Sequence, residues 1–322
     1  MEFSMLKEKI YLLSPKKLSP EVIAVTFAKT SRSPLGFNEI ADELSNESSA
    51  EFHEKWVVGY GHASVAEHAV LHIAIENVSR MAIESVQSNR LASYTEKSTR
   101  YQKWDSNAFV IPPELNGHPL KSEYKKTVQL LFKTYADSIE PTRAIIREKF
   151  PRKEGERNEL WDRRIRSKYV DACRFLLPAA SYANVGMTAN ARVLESAIRK
   201  MLSSPLEEVR QIGKKIKIAA QAEVPTLVKY ADSVPYLTEA EKEFSLLSKT
   251  CCAPIPTREK SVQLLQYDSD GENKILTSAL YRFGELSFTQ AQHYIESLSE
   301  EERSEITSKL FAKMGKFDIP LR

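Results

Sequence analysis

A mixed α/β fold is what the sequence predicts, and three observations predict it. Residues 69–77, AVLHIAIEN, set Leu71, Ile73 and Ile75 on one side against Val70, His72 and Ala74 on the other, the two-residue period of a strand. Directly after it, VSRMAIESV (78–86) changes to helical spacing through Ala82 and Val86. A third segment, starting at Asn190, carries Val193, Leu194, Ala197, Ile198 and Met201 along one helical side behind a possible strand at 181–188. Strands interleaved with helices give an α/β architecture, and a chain of 322 residues that is 42% hydrophobic is long enough to bury a sizeable core.

The remaining elements follow in chain order. KIYLLSP (9–15) reads as a short strand, and Pro20 to Lys29 as a helix through Val22, Ile23, Thr26 and Phe27. Phe52, Trp56 and Val57 mark a helix that stops at the glycines of VGYGH (58–62). The polar run 88–98 is expected to be an irregular loop between packed elements. A charged, helix-rich insertion occupies about 121–170, and Ser204-Pro205-Leu206-Glu207 has the form of a capping box with proline in the first turn of another helix.

Composition narrows the function classes. Basic residues number 46 against 43 acidic, a formal net charge of +3, so nothing demands a nucleic-acid or membrane surface. The N-terminus carries charges within any apolar run and reads as no signal peptide; no stretch approaches the roughly 20 apolar residues that span a bilayer. Cys173, Cys251 and Cys252 form no sensible disulfide framework. The expectation is a cytoplasmic protein without nucleic-acid or membrane partners.

Two domains are expected: 1–250, and 251–322 as a linker and an incomplete start of a second copy. The boundary is marked by Pro254, Pro256 and the turn-rich DSDGEN (268–273). Beyond it, Val262, Leu264 and Leu265 answer Ile10, Leu12 and Leu13; Ile275 and Leu276 answer Val22 and Ile23. Ile306, Leu310 and Phe311 answer Phe52, Trp56 and Val57, and Gly315 falls where Gly61 predicts. On this expectation the sequence stops at Arg322, where the second copy would enter its first important loop.

The chemistry concentrates in SNRLASYTEKSTRY (88–101). Arg90, Ser93, Glu96, Ser98 and Arg100 supply donors for phosphate and a carboxylate that can accept from a ribose hydroxyl or orient a guanidinium. On residue types alone, a solvated loop knitted by local Ser/Thr turns is the competing reading. The run Arg90, Ser93, Thr95, Glu96, Ser98, Arg100, Tyr101 closely resembles the signature of the flavin-dependent thymidylate synthases, R-H-R-x-x-S-x-N-E-x-S-x-R-Y. Gly61-His62-Ala63-Ser64-Val65-Ala66-Glu67-His68 is similar to that family's G-H-x-S/T-x-x-E-H loop. Arg174 to Pro178 resembles its arginine-to-proline segment, and Asn190-Ala191-Arg192 its N-A-R at a helix start. The resemblance spans roughly residues 9–232.

The resemblance implies a mainly antiparallel sheet flanked by helices, in the manner of a thymidylate-synthase-complementing protein. It further implies reductive methylation of dUMP to dTMP with methylenetetrahydrofolate, FAD and NADPH, in a homo-oligomer, a tetramer or its duplicated-chain equivalent. Carried over by position, Glu96, Ser98, Arg100 and Arg174 would hold the nucleotide, and His62, Ser64, Arg90 and Asn190 would face the flavin. No protein nucleophile is expected, since the cofactor makes the bonds. No metal is expected either: His62, His68 and His72 lack an acidic or thiol partner, and His72 falls on a strand.

The departures are uneven. Ser88-Asn89 stands where the family has Arg-His, Thr95 where it has Asn, Ser196 where a flavin-contacting Asn is expected, and Met201 where an arginine orients the uracil. Each lost charge-assisted contact is worth about 1.5–3 kcal/mol. Substrate binding is better preserved than cofactor binding, so the alternative is a non-catalytic nucleotide-binding copy that scaffolds a second synthase domain.

Overall fold

The computed structural model describes residues 9–100, 104–250, 262 and 264–311 and divides into two compact units, Met1–Cys251 and Cys252–Arg322. The first unit opens with α1 (Pro20–Thr30), α2 (Phe37–Asp42) and α3 (Asn46–Phe52), continued by a π-helical segment, His53–Gly59, and a 3₁₀ segment, Ala63–His68. Then come β1 (Val70–Ser79), α4 (Arg80–Gln87), β2 (Ser93–Glu96), the long α5 (Lys121–Lys149) and α6 (Asn158–Cys173). The unit ends with β3 (Tyr182–Asn190), α7 (Ala191–Leu202), α8 (Glu207–Gln221) and α9 (Pro235–Thr250).

The sheet is antiparallel, in the order β1-β3-β2. Leu71 and Ile75 on β1, with Ala183, Val185, Met187 and Ala189 on β3, turn into one core with α4, α7 and α8. The opposite face stays open: His72, Ala74, Ser93, Thr95 and Gly186 are exposed. This one-sided burial is what the alternation at 69–77 predicts. Helix α5 packs on a smaller core of Phe109, Val128 and Phe132, and α6 packs against α5.

Four expectations need correction. KIYLLSP is not a strand: Ile10 and Leu12 are 89% and 93% exposed, and its alternation finds no neighbouring strand to supply hydrogen bonds. The run 88–98 is not wholly irregular. Its Ser93–Glu96 pairs with β3, Ser93 opposite Thr188 and Glu96 opposite Val185, and the inward side chain of this half-polar alternation is Tyr94. The helix expected over Phe52–Val57 becomes π-helical from His53 onward. The box at Ser204 does not close: α8 begins at Glu207, whose N–H donates to Glu114 Oε1 at 2.8 Å, while Ser204 Oγ accepts from Leu206 at 3.2 Å.

The second unit contains α10 (Gly271–Phe283), α11 (Phe288–Ser297) and α12 (Glu300–Phe311). The caps of α11 and α12 match those of α2 and α3, whereas α1 is capped by Ser19 and α10 has no side-chain cap. Glu39 reaches back to Gly36 N–H at 2.7 Å and Gln290 to Ser287 N–H at 2.9 Å; Ser48 to Ser45 N–H at 3.0 Å and Glu302 to Ser299 N–H at 2.8 Å. Burial revises the register, however. Ile275 is 61% exposed whereas Val22 is buried; the buried pair Leu276–Thr277 instead answers Val25–Thr26, and Phe288 answers Phe37. The apolar run at 262–265 is not helical or paired where described, with Val262, Leu264 and Leu265 exposed. Tyr101, Cys251, Cys252, Pro254, Pro256 and Gly315 lie outside the described residues.

Candidate functional site

The chain leaves α4 with its N-terminus fixed by Ser79, whose Oγ caps Ala82 N–H at 3.0 Å and whose N–H and Oγ both donate to Glu208 of α8 at 2.7 Å. Ser88 closes the helix by donating to Ser85 O at 2.8 Å. Asn89 then turns inward, 5% exposed. Its Nδ2 donates to Val86 O at 3.0 Å, and its Oδ1 accepts from Lys200 Nζ of α7 at 3.4 Å. The Tyr94 hydroxyl lies 2.9 Å from Asn89 O and 3.0 Å from Val86 O, and burial raises its pKa. Arg90, by contrast, is exposed.

Past β2 the chain meets the end of α6. Glu96 pairs with Arg80 at 2.8 Å. Ser98 Oγ accepts the Arg100 N–H at 3.2 Å, and Arg100 lays its guanidinium on Asp171, Nε and Nη2 each donating to one carboxylate oxygen at 2.8 Å. Arg174 Nε reaches the same carboxylate at 3.1 Å, and its Nη1 reaches Thr99 Oγ1 at 3.3 Å. Hydrogen bonding from Arg100, with the Arg174 charge beside it, holds the Asp171 carboxyl below its ordinary range. A planar fork bound at both ends of a carboxylate is geometrically fixed. Of the residues expected to hold a nucleotide, Ser98, Arg100 and Arg174 therefore meet at one place, and Glu96 stands on the strand leading into it. Asp171, on which they converge, is a residue the sequence reading missed. Its signal was its place three residues before Arg174, on the same helical face.

The residues expected to face a flavin do not form one group. His62 and Ser64 line a cleft of about 760 Å³ together with Phe27, Arg32, Trp56 and His68. Trp56 stacks on Tyr60 at 5.0 Å and lies 6.1 Å from the His62 ring, with the Arg32 guanidinium 5.1 Å from its centroid. Phe27 stacks on His68 at 4.7 Å. Asn190 is the N-cap of α7, accepting Val193 N–H at 2.9 Å. It borders the cleft only through the adjoining Arg192, which is ion-paired with Glu67 of the cleft wall. Arg90 is not among the cleft residues. Met201, 2% exposed, belongs to the core, where it meets α8 at Gly213; a Cβ on that glycine would stand 2.8 Å from Met201 Cβ. The position thus contributes close helix packing rather than a ligand contact.

Beneath the cleft, Glu21 of α1 is buried and accepts Thr226 N–H at 2.9 Å and Leu227 N–H at 3.2 Å. His53, fully buried, bonds Glu21 O through Nε2 at 3.0 Å, and burial lowers its pKa. These contacts tie α1, the π-helical segment and residues 224–228 into one wall. Cys173 is buried with its Sγ 3.6 Å from Ser138 O. Among the described residues no group of three or more His, Cys, Asp or Glu could hold a metal ion, and no helix is long and apolar enough to cross a membrane.

The donor set of the cleft fits FAD in kind. Trp56 and His62 offer faces for a planar ring, Arg32 and Ser64 offer charge and hydrogen bonds for phosphate, and the volume lies within the roughly 300–1,000 Å³ usual for such sites.

Comparison with known proteins bears on the whole arrangement. The chain is 26% identical over 318 residues to a UPF0159 protein of Chlamydia muridarum, covering 88% of this chain and 60% of the relative. It thus spans about 60% of the length of that relative. A flavin-dependent thymidylate synthase of Clostridium tetani is 29% identical over 218 residues, covering 66% of this chain and 82% of the relative. Among solved structures, the flavin-dependent thymidylate synthase of Helicobacter pylori complexed with FAD and dUMP aligns with a TM-score of 0.44 at 18% identity, over 67% of this chain and 96% of that one. The family model described as thymidylate synthase complementing protein matches residues 13–226, which take in the cleft, the 88–100 run and Arg174 alike. By that match the chain belongs to the thymidylate synthase complementing protein family, that of the flavin-dependent thymidylate synthases.

Proposed function

We propose that the first unit binds dUMP at the Arg100–Asp171–Arg174 cluster and methylates it reductively to dTMP, with methylenetetrahydrofolate as carbon donor and NADPH as reductant. The observation that carries this reading is the junction of Arg100 with Asp171, 71 residues apart in sequence, beside Arg174. Two guanidinium groups and one carboxylate leave a net positive site suited to a phosphate. Glu96, steadied by Arg80, is the acceptor for a ribose hydroxyl, and Ser98 shapes the turn that aims Arg100. FAD supplies the redox chemistry when bound, and Arg32, Trp56, His62 and Ser64 would hold it in the cleft. Arg90 and Asn190 lie apart from that cleft, and a homo-oligomer is part of this reading through the family resemblance alone. The back-reaching caps that α11 and α12 share with α2 and α3 support reading the second unit as related to the first. Soluble substrates of this kind agree with a cytoplasmic setting.

The inward turn of Asn89 and the burial of Met201 favour one second reading, a nucleotide-binding scaffold without turnover. Calorimetry with dUMP and a flavin absorption spectrum decide between them. Arg100→Ala should weaken dUMP binding by about 2–4 kcal/mol, roughly 30- to 1,000-fold. Binding unchanged by that substitution removes the nucleotide assignment. Arg100-dependent dUMP binding without FAD binding or NADPH oxidation replaces the enzyme by the scaffold.

A further inference from the structure

The charge of this chain is unevenly placed. Residues 143–168 hold ten basic and five acidic side chains, a net of +5; since the whole chain is +3, the remainder is −2. The basic stretch covers the end of α5, the turn after it and most of α6. We propose that the solvent face of α6 is an electrostatic approach path that draws an anionic nucleotide to the Arg100–Asp171–Arg174 cluster, an inference that rests on the nucleotide reading above.

Helical geometry defines the path. Ile165, Val170 and Cys173 are the buried residues of α6. At 100° per residue, Arg164, Lys168 and Asp171 share the opposite stripe, with Arg157 at its head and Arg174 at its edge, while the exposed Arg163 stands on the flank beside it, one turn from Glu159. The acids of α6 do not cancel these charges: Asp162 is turned to Arg147 of α5 at 3.0 Å, Glu159 lies off the stripe, and Asp171 is already shared by two arginines. Arg164 is neutralised by Glu156, to which it donates at 3.0 and 2.8 Å. Lys168 rests over the Phe150 ring at 4.2 Å, a contact that leaves its charge uncompensated. Arg157, Arg163 and Lys168 are all exposed.

Screening sets the reach of each charge. Lys168 stands about 4.5 Å of helix rise from Asp171, and Arg163 about 12 Å. The Debye length is about 8 Å at physiological ionic strength and about 30 Å at 0.01 M. Near physiological salt Lys168 acts nearly alone, whereas at low salt the whole stripe does. Cations that guide without touching the bound ligand change the association rate and not the dissociation rate.

Stopped-flow association of dUMP with the full chain tests this, comparing Arg163→Gln/Lys168→Gln with Lys214→Gln/Lys215→Gln on α8, which alters net charge equally. The α6 pair should lower the association rate about 3- to 10-fold at roughly 0.01 M salt. The difference should close at high salt, with dissociation unchanged and the α8 pair near wild type. Equal effects of the two pairs overturn the path in favour of overall charge, and a faster dissociation overturns it in favour of direct contact. An unchanged association rate with binding that still depends on Arg100 overturns it outright. Failure of dUMP to bind the wild-type chain, or binding indifferent to Arg100→Ala, identifies the nucleotide reading itself as the fault.

Discussion

Where Thr99 and Arg100 meet the end of α6, position is set by charge: one carboxylate holds two guanidinium groups, and both arginines are where the family resemblance puts them. In the cleft between α1 and the π-helical segment, position is set by stacked rings and by a wall anchored from below through Glu21 and His53. The first region keeps its sequence signature and draws it together. The second keeps His62 and Ser64, while Ser88, Asn89 and Met201 lie outside it, Asn89 and Met201 buried in packing roles. A charged cluster needs each member at a fixed distance, so substitutions there are costly. A stacked cleft tolerates exchange of faces, since rings of several kinds fill the same space. Two regions of one fold, one fixed by charge pairs and one by ring stacking, can therefore change independently of each other.

The sharpest way to break that comparison is through the wall. Glu21→Ala removes the acceptor of Thr226 and Leu227 N–H in a buried setting, and orphaned buried donors cost about 1–3 kcal/mol each. A loss of about 2–4 kcal/mol in urea unfolding of the first unit is expected. A loss under 1 kcal/mol would mean that water replaces the carboxylate and the wall is not anchored there.

Trp56→Ala tests the independence of the two regions. Removing the ring and its contact with Arg32 should weaken FAD binding by about 1–3 kcal/mol, while calorimetric dUMP affinity stays within experimental error. If dUMP binding falls in parallel, the two regions are one site and the contrast drawn between them fails.

How much of this was legible in the sequence depends on the range of the forces involved. The strand at Val70–Ser79, the helix after it, and α7 are written in local periodicity, which the buried face then obeys. Arg100 and Arg174 were legible as motif members, but not the carboxylate that joins them, because Asp171 has no meaning until α6 passes beneath the 98–100 turn. The same holds for Asn89. Its type suggests a solvated turn, and its side-chain amide is satisfied in the interior only because Lys200 donates to its Oδ1 and Val86 O accepts from its Nδ2, with Tyr94 on its backbone carbonyl. KIYLLSP shows the reverse error, a strand pattern with no strand beside it. The expected pairing of Val22 with Ile275 slid apolar residues into agreement without regard to burial: Val22 is buried and Ile275 exposed, whereas Thr26 and Thr277 are both buried.

Restoring a lost charge sharpens the comparison from the other direction. Ser88 is exposed at the end of α4, so Ser88→Arg is sterically open, whereas Asn89→His would have to displace a buried amide. One added charge-assisted contact, discounted for exposure, should tighten FAD binding by about 1 kcal/mol, near fivefold. Fluorescence quenching of FAD reads it. No gain from Ser88→Arg, alongside a loss from Trp56→Ala, would mean that a flavin held in the cleft does not extend to position 88, which lies outside the cleft lining.

The smallest effect expected is a matter of pH. The Asp171 carboxyl titrates below its ordinary value in the folded chain, first because Arg100 hydrogen-bonds it and next because Arg174 stands beside it. A carboxylate with a lowered folded pKa contributes stability that is fully present above its unfolded value near 3.9 and is lost as pH falls through the folded one. The His53 ring has the opposite charge type and, through burial, also a lowered pKa. Its neutral form is the one that fits, so it begins to oppose folding once pH drops below about 6.5, where the unfolded ring takes up its proton. The two regions should therefore loosen in sequence on acidification. Amide exchange near Glu21 and His53 should rise first, once the pH falls below about 6.5, while the Arg100 amide stays protected until the pH falls below about 4. Asp171→Asn should abolish the second step and leave the first. Simultaneous loss of protection in both regions would show that the cluster and the wall open as a single cooperative piece.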